Sequence, residues 1–132
     1  MVNTTDFDPD IRRVAHLMAD AARAVILPYF RALDLIADNK LGAGFDPVTE
    51  ADRAAERAMR EVLARERPAD GILGEEYGAQ PGTSGLTWVL DPIDGTRGFL
   101  SGTPTWGVLI AVSDVSGPFY GIIDQPYIGE RF

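Results

Sequence analysis

The chain has 132 residues, which is long enough for one domain with its own core. Its formal net charge of −8 provides no basic surface for a nucleic-acid partner. It has no cysteine, which excludes disulfides and thiolate-held metal centres and fits a reducing compartment such as the cytoplasm. Residues 1–10 lack the basic start and apolar run of a signal peptide, and no later run predicts a membrane span, so no membrane partner is expected.

The first element is a predicted amphipathic helix. Apolar residues recur at helical spacing from Ile11 to Tyr29. Asp8 and Pro9 are suited to be its cap and first-turn proline, and Pro28 predicts that regular helix weakens near the end.

A predicted strand and a second predicted helix follow. Apolar and polar residues alternate from Leu33 to Lys40, which favours a strand, and the glycines of residues 42–44 indicate a loop. Thr49 and Asp52 resemble a capping pair at the start of a run of good helix formers over residues 50–67. Pro68 is expected to end this helix.

The second half of the chain is rich in short β-type runs separated by glycine and proline. The predicted strands are Gly71–Gly74, Leu86–Leu90, Trp106–Val112 and Phe119–Ile123, with a further strand beginning at Glu130-Arg131-Phe132. Segments so close in sequence pair most easily as antiparallel neighbours. The expected fold class is therefore α+β, with helices layered on an antiparallel sheet in one domain over residues 1–132.

Acidic residues stand at the ends of several predicted elements. Carboxylates from separate elements suit Mg²⁺, which prefers hard oxygen ligands and is usually held by a few carboxylates together with substrate phosphate. These acids are Asp46 and Asp52 near the second helix, Glu75 and Glu76 after one strand, and Asp91 and Asp94 after the next.

The segment from Asp91 to Thr96 has the composition of a metal-binding turn. Asp91 should project from the carboxyl end of the strand Trp88–Leu90, with the Ile93 carbonyl and the Asp94 carboxylate as further hard oxygens. A helix start there would offer anion-binding amides from Gly95, Thr96 and Arg97. A plain turn is the alternative, because Asp-Pro and Asp-Gly are common turn dipeptides.

Three blocks of the sequence together resemble the inositol monophosphatase family. They are Asp46-Pro47-Val48-Thr49-Glu50-Ala51-Asp52, Gly74-Glu75-Glu76, and Trp88-Val89-Leu90-Asp91-Pro92-Ile93-Asp94-Gly95-Thr96, in the family's order. The resemblance implies the amino-terminal, metal- and phosphate-binding domain of the inositol monophosphatase and fructose bisphosphatase fold. It also implies that the family's carboxy-terminal α/β domain lies outside these 132 residues.

The resemblance further implies roles for individual residues. Magnesium ligands would be Glu75, Asp91, the Ile93 carbonyl and Asp94, in a complete site of two or three ions. Asp46 and Thr96 would orient the attacking water, so no covalent phosphoenzyme is implied. Contacts to the substrate phosphate would come from Glu75, Asp94, Gly95, Thr96 and Arg97.

Within the family, the runs Asp94–Phe99 and Gly121–Tyr127 look most like the histidinol-phosphate phosphatase branch. The implied function is Mg²⁺-dependent hydrolysis of a small phosphate monoester, and L-histidinol phosphate is the first candidate substrate. The full-length protein is expected to form a homodimer. Two alternatives are an inositol-1-phosphate phosphatase and a non-catalytic module that binds metal or phosphate or docks on a partner. Arg97 is explained by an anionic neighbour or, alternatively, as a solvated surface arginine.

Several other residues are expected to be structural rather than functional. His16, on the first helix, is expected to be structural or solvent-facing. For Glu76 and Asp52, the alternative to a role in the site is that they are solvated acids or a helix cap. The aromatic residues expected in the core are Trp88, Phe99 and Trp106.

Overall fold

A computed structural model describes residues 8–32, 37–39 and 47–132. In these residues the helices are α1 (Pro9–Ile26), α2 (Glu50–Glu66) and α3 (Thr96–Ser101). The strands are β1 (Ala37–Asn39), β2 (Pro47–Thr49), β3 (Gly71–Gly74), β4 (Gly78–Gln80), β5 (Thr87–Asp94), β6 (Gly107–Asp114), β7 (Gly117–Gln125) and β8 (Glu130–Arg131).

Helix α1 begins as predicted from Asp8 and Pro9. The Asp8 carboxylate accepts a hydrogen bond from the Asp10 amide at 2.9 Å, and Pro9 occupies the first turn, where no amide donor is needed. The α-helix ends at Ile26 and tightens into one 3₁₀ turn over Leu27–Tyr29, which contains Pro28. The predicted weakening at the proline is confirmed.

Helix α2 runs from Glu50 to Glu66 and packs along α1. It ends two residues before Pro68, as expected from the missing amide and the bulk of the proline ring. The buried side chains on the two helices recur at helical spacing and meet in one core. Those of α1 are Ile11, Val14, Ala15, Met18, Ala19, Ala22 and Ile26, and those of α2 include Ala51, Ala55, Met59, Val62 and Leu63.

The main sheet has six strands in the order β4-β3-β5-β6-β7-β8. All neighbours are antiparallel except β3 and β5, which run parallel with Gly71 opposite Thr87 and Gly74 opposite Leu90. The expectation of antiparallel neighbours is therefore wrong for this pair. The reason is the unpredicted strand β4, which takes the chain back along β3 before β5 begins.

The layered α+β class is confirmed, with α1 and α2 on one face of the sheet. Strand residues alternate between the faces, so Trp88 is fully buried while Val89 is 36% exposed. Ile122 and Ile123 show the same contrast, at 3% and 50%. The second face, as far as the described residues show it, is open and carries a shallow apolar groove that includes Val89, Ile123 and Phe132.

Aromatic side chains fill the core as predicted. Trp88, Phe99 and Trp106 are all buried. Phe30, Phe99 and Trp106 form one cluster, in which the Phe30 ring centroid lies 5.4 Å from that of Phe99 and 5.2 Å from that of Trp106. The Phe99 and Trp106 centroids are 5.1 Å apart. The indole of Trp88 donates to the Asp70 carboxylate at 2.8 Å, which attaches strand β5 to the loop that precedes β3.

A buried ion network joins α1 to the last two strands. The Asp124 carboxylate is fully buried on β7 and accepts hydrogen bonds from Arg23 at 2.7 Å and Arg131 at 2.9 Å. Arg131 also contacts the His16 ring at 3.0 Å and donates to Asp20 at 2.7 Å. His16 thus has a structural contact, in agreement with the expectation for it.

In the ranges 8–32, 37–39 and 47–132, no helix combines the length and the apolar character needed to cross a bilayer.

Candidate metal centre

The parallel pairing of β3 and β5 brings Glu75 beside Asp91. Gly74 lies opposite Leu90, and the Glu75 amide continues the ladder by donating to the Leu90 carbonyl at 3.3 Å. Because parallel strands end at the same edge of a sheet, the next residue on each strand projects into the same region. Two carboxylates predicted from separate blocks of the sequence therefore meet.

Strand β5 does not end at Leu90, as the sequence predicted, but continues to Asp94. Asp91 pairs with Leu109 and Asp94 pairs with Gly107, so two residues of β5 oppose the single residue Val108. This is a β-bulge, and Pro92 is tolerated in it because a bulge does not require every amide in the ladder. The bulge bends the strand, and Asp94 emerges exposed while Asp91 is partly buried.

Asp91 is in an environment that disfavours its charge. Burial raises the pKa of Asp91 to about 8 from its ordinary 3.8, and a hydrogen bond with Glu75 and the negative fields of Glu75, Asp94 and Asp52 act in the same direction. One oxygen, Oδ1, is buried without a hydrogen-bond partner. A buried polar oxygen without a hydrogen-bond partner is uncommon, and a bound cation would compensate for its desolvation.

Asp52 belongs to the same cluster of acids, for which the sequence left open the alternative of a solvated acid or a helix cap. Asp52 is only 3% exposed, and its negative charge contributes to the raised pKa of Asp91. The reading as a solvated acid is therefore wrong. Helical spacing was the available signal, because Asp52 lies four residues before Glu56 and adjoins the buried stripe of Ala51 and Ala55.

The predicted helix start after Asp94 is present. Gly95 precedes α3 with a positive φ of 87°, and the Thr96 hydroxyl donates to the Ile93 carbonyl at 3.1 Å. A carbonyl oxygen has two lone pairs, so the Ile93 carbonyl keeps one acceptor position for another partner. Arg97 lies exposed in the first turn of α3.

Replacing Gly95 by alanine is expected to disrupt this turn. A Cβ there would lie 2.6 Å from the Thr105 carbonyl oxygen, and φ is in the left-handed region, so the variant incurs both overlap and backbone strain. We expect a loss of more than about 2 kcal/mol in the free energy of unfolding, measured by urea denaturation.

Gly85→Ala is the matched control, because Gly85 has a φ of 88° but open space around its Cβ position. It should lose only about 1 kcal/mol, from backbone strain alone. Equal losses of stability in the two variants would contradict this expectation, because they would show that the Thr105 backbone moves away from the new Cβ without loss of stability.

The structure brings together Glu75, Asp91 and Asp52, with Asp94 and the Ile93 carbonyl following on the bulge. Asp46, predicted from the first motif, lies outside the described residues. Among the described residues, no three acidic side chains lie close enough together to bind one metal ion as they stand. The nucleus of the centre is the hydrogen-bonded pair of Glu75 and Asp91.

These donors fit Mg²⁺. Asp91 has one buried oxygen without a hydrogen-bond partner and lies in the negative field of Glu75, Asp94 and Asp52. The carboxylates and the Ile93 carbonyl offer hard oxygens. A divalent cation would compensate for the buried charge and reverse the sign of the local field, which otherwise repels a phosphate group.

Comparison with known proteins agrees with this fold and these motifs. The family model described as "Inositol monophosphatase family" matches residues 9–132. A protein of Streptomyces coelicolor named histidinol-phosphatase is 42% identical over 127 residues, which cover 93% of this chain and 47% of that protein.

Two solved structures show the same architecture. The extragenic suppressor protein suhB of Bartonella henselae superimposes with a TM-score of 0.84 at 32% identity, over 92% of this chain and 47% of that one. An inositol monophosphatase of Zymomonas mobilis has a TM-score of 0.74 at 49% identity, over 93% of this chain and 46% of that one. The chain spans about half the length of the relatives it matches, and it belongs to the inositol monophosphatase family.

Proposed function

We propose that this chain contributes the metal- and phosphate-binding domain of a Mg²⁺-dependent phosphomonoesterase, with L-histidinol phosphate as the first candidate substrate. Membership of a family of phosphomonoesterases supports the reaction class. The observation that carries the metal site is the buried, unpartnered Asp91 oxygen beside Glu75. The pKa of Asp91, raised to about 8 by burial and the neighbouring acids, supports the proposal, because strongly shifted pKa values cluster at functional sites.

In this proposal, Glu75, Asp91, Asp94 and the Ile93 carbonyl hold the ions. Bound Mg²⁺ supplies charge stabilisation for the phosphoryl group and lowers the pKa of water. Thr96, whose hydroxyl already contacts the Ile93 carbonyl, orients the attacking water together with Asp46. The amides at the start of α3 and the exposed guanidinium of Arg97 face the negative charge of the substrate.

Two similarities support different substrates. The relative named histidinol-phosphatase is 42% identical, whereas the solved inositol monophosphatase is 49% identical. Arg97, together with the Asp94–Phe99 motif, favours the histidinol-phosphate branch. The inositol-1-phosphate reaction is the alternative within the same chemistry.

Phosphate release in the presence of Mg²⁺ tests the reaction and the substrate together. Histidinol phosphate and inositol 1-phosphate are supplied separately, and we expect kcat/KM to be at least about tenfold higher for histidinol phosphate, a difference of about 1.4 kcal/mol in transition-state binding. A preference for inositol 1-phosphate would select the alternative. Phosphate release that does not require Mg²⁺ would refute the proposed mechanism.

A second candidate is a module that binds metal or phosphate without turnover, or docks on a partner. The open apolar face around Val89, Ile123 and Phe132 favours it, because apolar strand residues are normally covered. Mg²⁺ binding by calorimetry without phosphate release from either ester would support this candidate.

A further inference from the structure

Glu56, in the middle of α2, is a fully buried carboxylate that the sequence motifs did not single out. Its partners include backbone amides as well as a side chain. Its oxygens accept hydrogen bonds from two consecutive backbone amides, those of Glu76 at 2.8 Å and Tyr77 at 2.9 Å. The carboxylate therefore binds the turn between β3 and β4, directly after Glu75.

Arg60, one helical turn further along α2, completes the attachment. Its Nε lies 3.0 Å from the Glu56 carboxylate, and its Nη2 donates to the Gly78 carbonyl at 2.6 Å. A buried charge is tolerated only when it is paired and hydrogen-bonded, and here those partners are the turn and an arginine that also binds the turn. Helix α2 thus holds residues 76–78 by three main-chain contacts.

Gly74 makes room for this arrangement. A Cβ at position 74 would lie 2.3 Å from one Glu56 oxygen and 2.7 Å from the other. The carboxylate is therefore packed against the last residue of β3 and cannot approach so closely if residue 74 has a side chain.

The attachment fixes the turn that carries Glu75. Glu75 is exposed and lies beside Asp91, so the position of its side chain depends on how the backbone of the turn is held. The Glu75 amide is held by the Leu90 carbonyl and the next two amides by Glu56, which holds the backbone on both sides of Glu75.

We propose that Glu56 is a positioning residue for the metal centre, which keeps Glu75 beside Asp91 by binding the backbone of the turn rather than the ion. This inference rests on the proposed function, because it assigns Glu75 and Asp91 to Mg²⁺. Groups that orient metal ligands typically change metal affinity by about 10- to 100-fold when they are removed.

The test is Glu56→Gln, with Mg²⁺ alone as the probe. Glutamine keeps the shape but offers one acceptor oxygen, and its NH₂ group faces an amide that needs an acceptor. We expect the Kd for Mg²⁺, measured by calorimetry, to rise at least about tenfold. The increase in melting temperature produced by Mg²⁺ should shrink in parallel.

Asp70→Asn is the matched control for a merely structural effect. Asp70 is also a buried carboxylate, but it accepts from Arg67, Ser84 and Trp88 at the other end of β3, away from Glu75. Its loss should lower the melting temperature and leave the Kd for Mg²⁺ within about twofold of the original, because no group near the ion moves. An equal loss of Mg²⁺ affinity in both variants would overturn the positioning role.

Gly74→Ala provides a second variant that leaves every carboxylate in the chain. The new methyl group displaces the flexible end of Glu56, so the turn should lose its acceptor and Mg²⁺ affinity should fall by a similar factor. Unchanged affinity in either Glu56→Gln or Gly74→Ala would refute the inference while the metal site stands. Absence of Mg²⁺ binding by the unchanged protein would instead refute the proposed metal site, and the inference with it.

Discussion

Asp91→Asn is expected to stabilise the Mg²⁺-free protein at alkaline pH and to abolish its response to Mg²⁺. The folded-state pKa of about 8 lies above the ordinary 3.8, so the folded state binds more protons than the unfolded state between these values. The stability contributed by this group is therefore present at low pH and is lost as the pH rises towards about 8. An amide carries no charge and avoids this loss.

Thermal melts at pH 6 and pH 9, each with and without Mg²⁺, measure both effects. At pH 9 without Mg²⁺ the variant should melt at least about 4 °C above the original protein, which corresponds to roughly 1 kcal/mol or more for a domain of this size. Added Mg²⁺ should raise the melting temperature of the original protein but not of the variant. A variant that melts lower at pH 9, or still responds to Mg²⁺, would contradict the assignment of Asp91.

Asp124→Asn is expected to cause the largest loss of stability. The fully buried Asp124 carboxylate accepts from Arg23 and Arg131, and its removal leaves two guanidinium groups without their shared counter-charge. Breaking a buried ion pair by removing one partner typically costs about 3–5 kcal/mol. We expect a loss of about 3 kcal/mol in the free energy of unfolding, because the asparagine oxygen still accepts one hydrogen bond.

Asp20→Asn is the matched control within the same network. The Asp20 side chain is 64% exposed and accepts from the same Arg131 at 2.7 Å, so water replaces most of its contribution. Its loss should cost less than about 1 kcal/mol in the same urea titration. Equal losses at the two positions would show that burial of Asp124 does not determine the energy of this network.

Much of the fold could be predicted because local physics decides it. Periodicity and prolines placed α1 and α2 with only small differences at their ends, since a missing amide at Pro28 or Pro68 acts within one turn. The strands β3, β5, β6 and β7 were recognised from short β-rich runs, although the predicted β5 stopped at Leu90. Local rules do not reveal a bulge, because an extra residue shows only when the partner strand is present.

The candidate site, like the fold, was predictable from the sequence only in part. Carboxylate chemistry and the order of the motifs identified Glu75, Asp91 and Asp94, and the family membership they implied is confirmed. The roles of these residues, of Thr96 and Arg97, and of Asp46 outside the described ranges, stay predictions. The alternative of a solvated acid was wrong for Asp52, because burial at a helix start depends on what packs against it.

The sequence by itself therefore determined most of the helices and strands, the acidic residues available for a site and the family, because each depends on neighbours along the chain. Only the tertiary structure decided that β3 and β5 run parallel and that Glu75 stands beside Asp91. It also decided that Glu56 of α2 holds the turn between β3 and β4. These contacts join residues about 16 to 21 positions apart, and long-range pairing of this kind depends on the packing of the whole sheet.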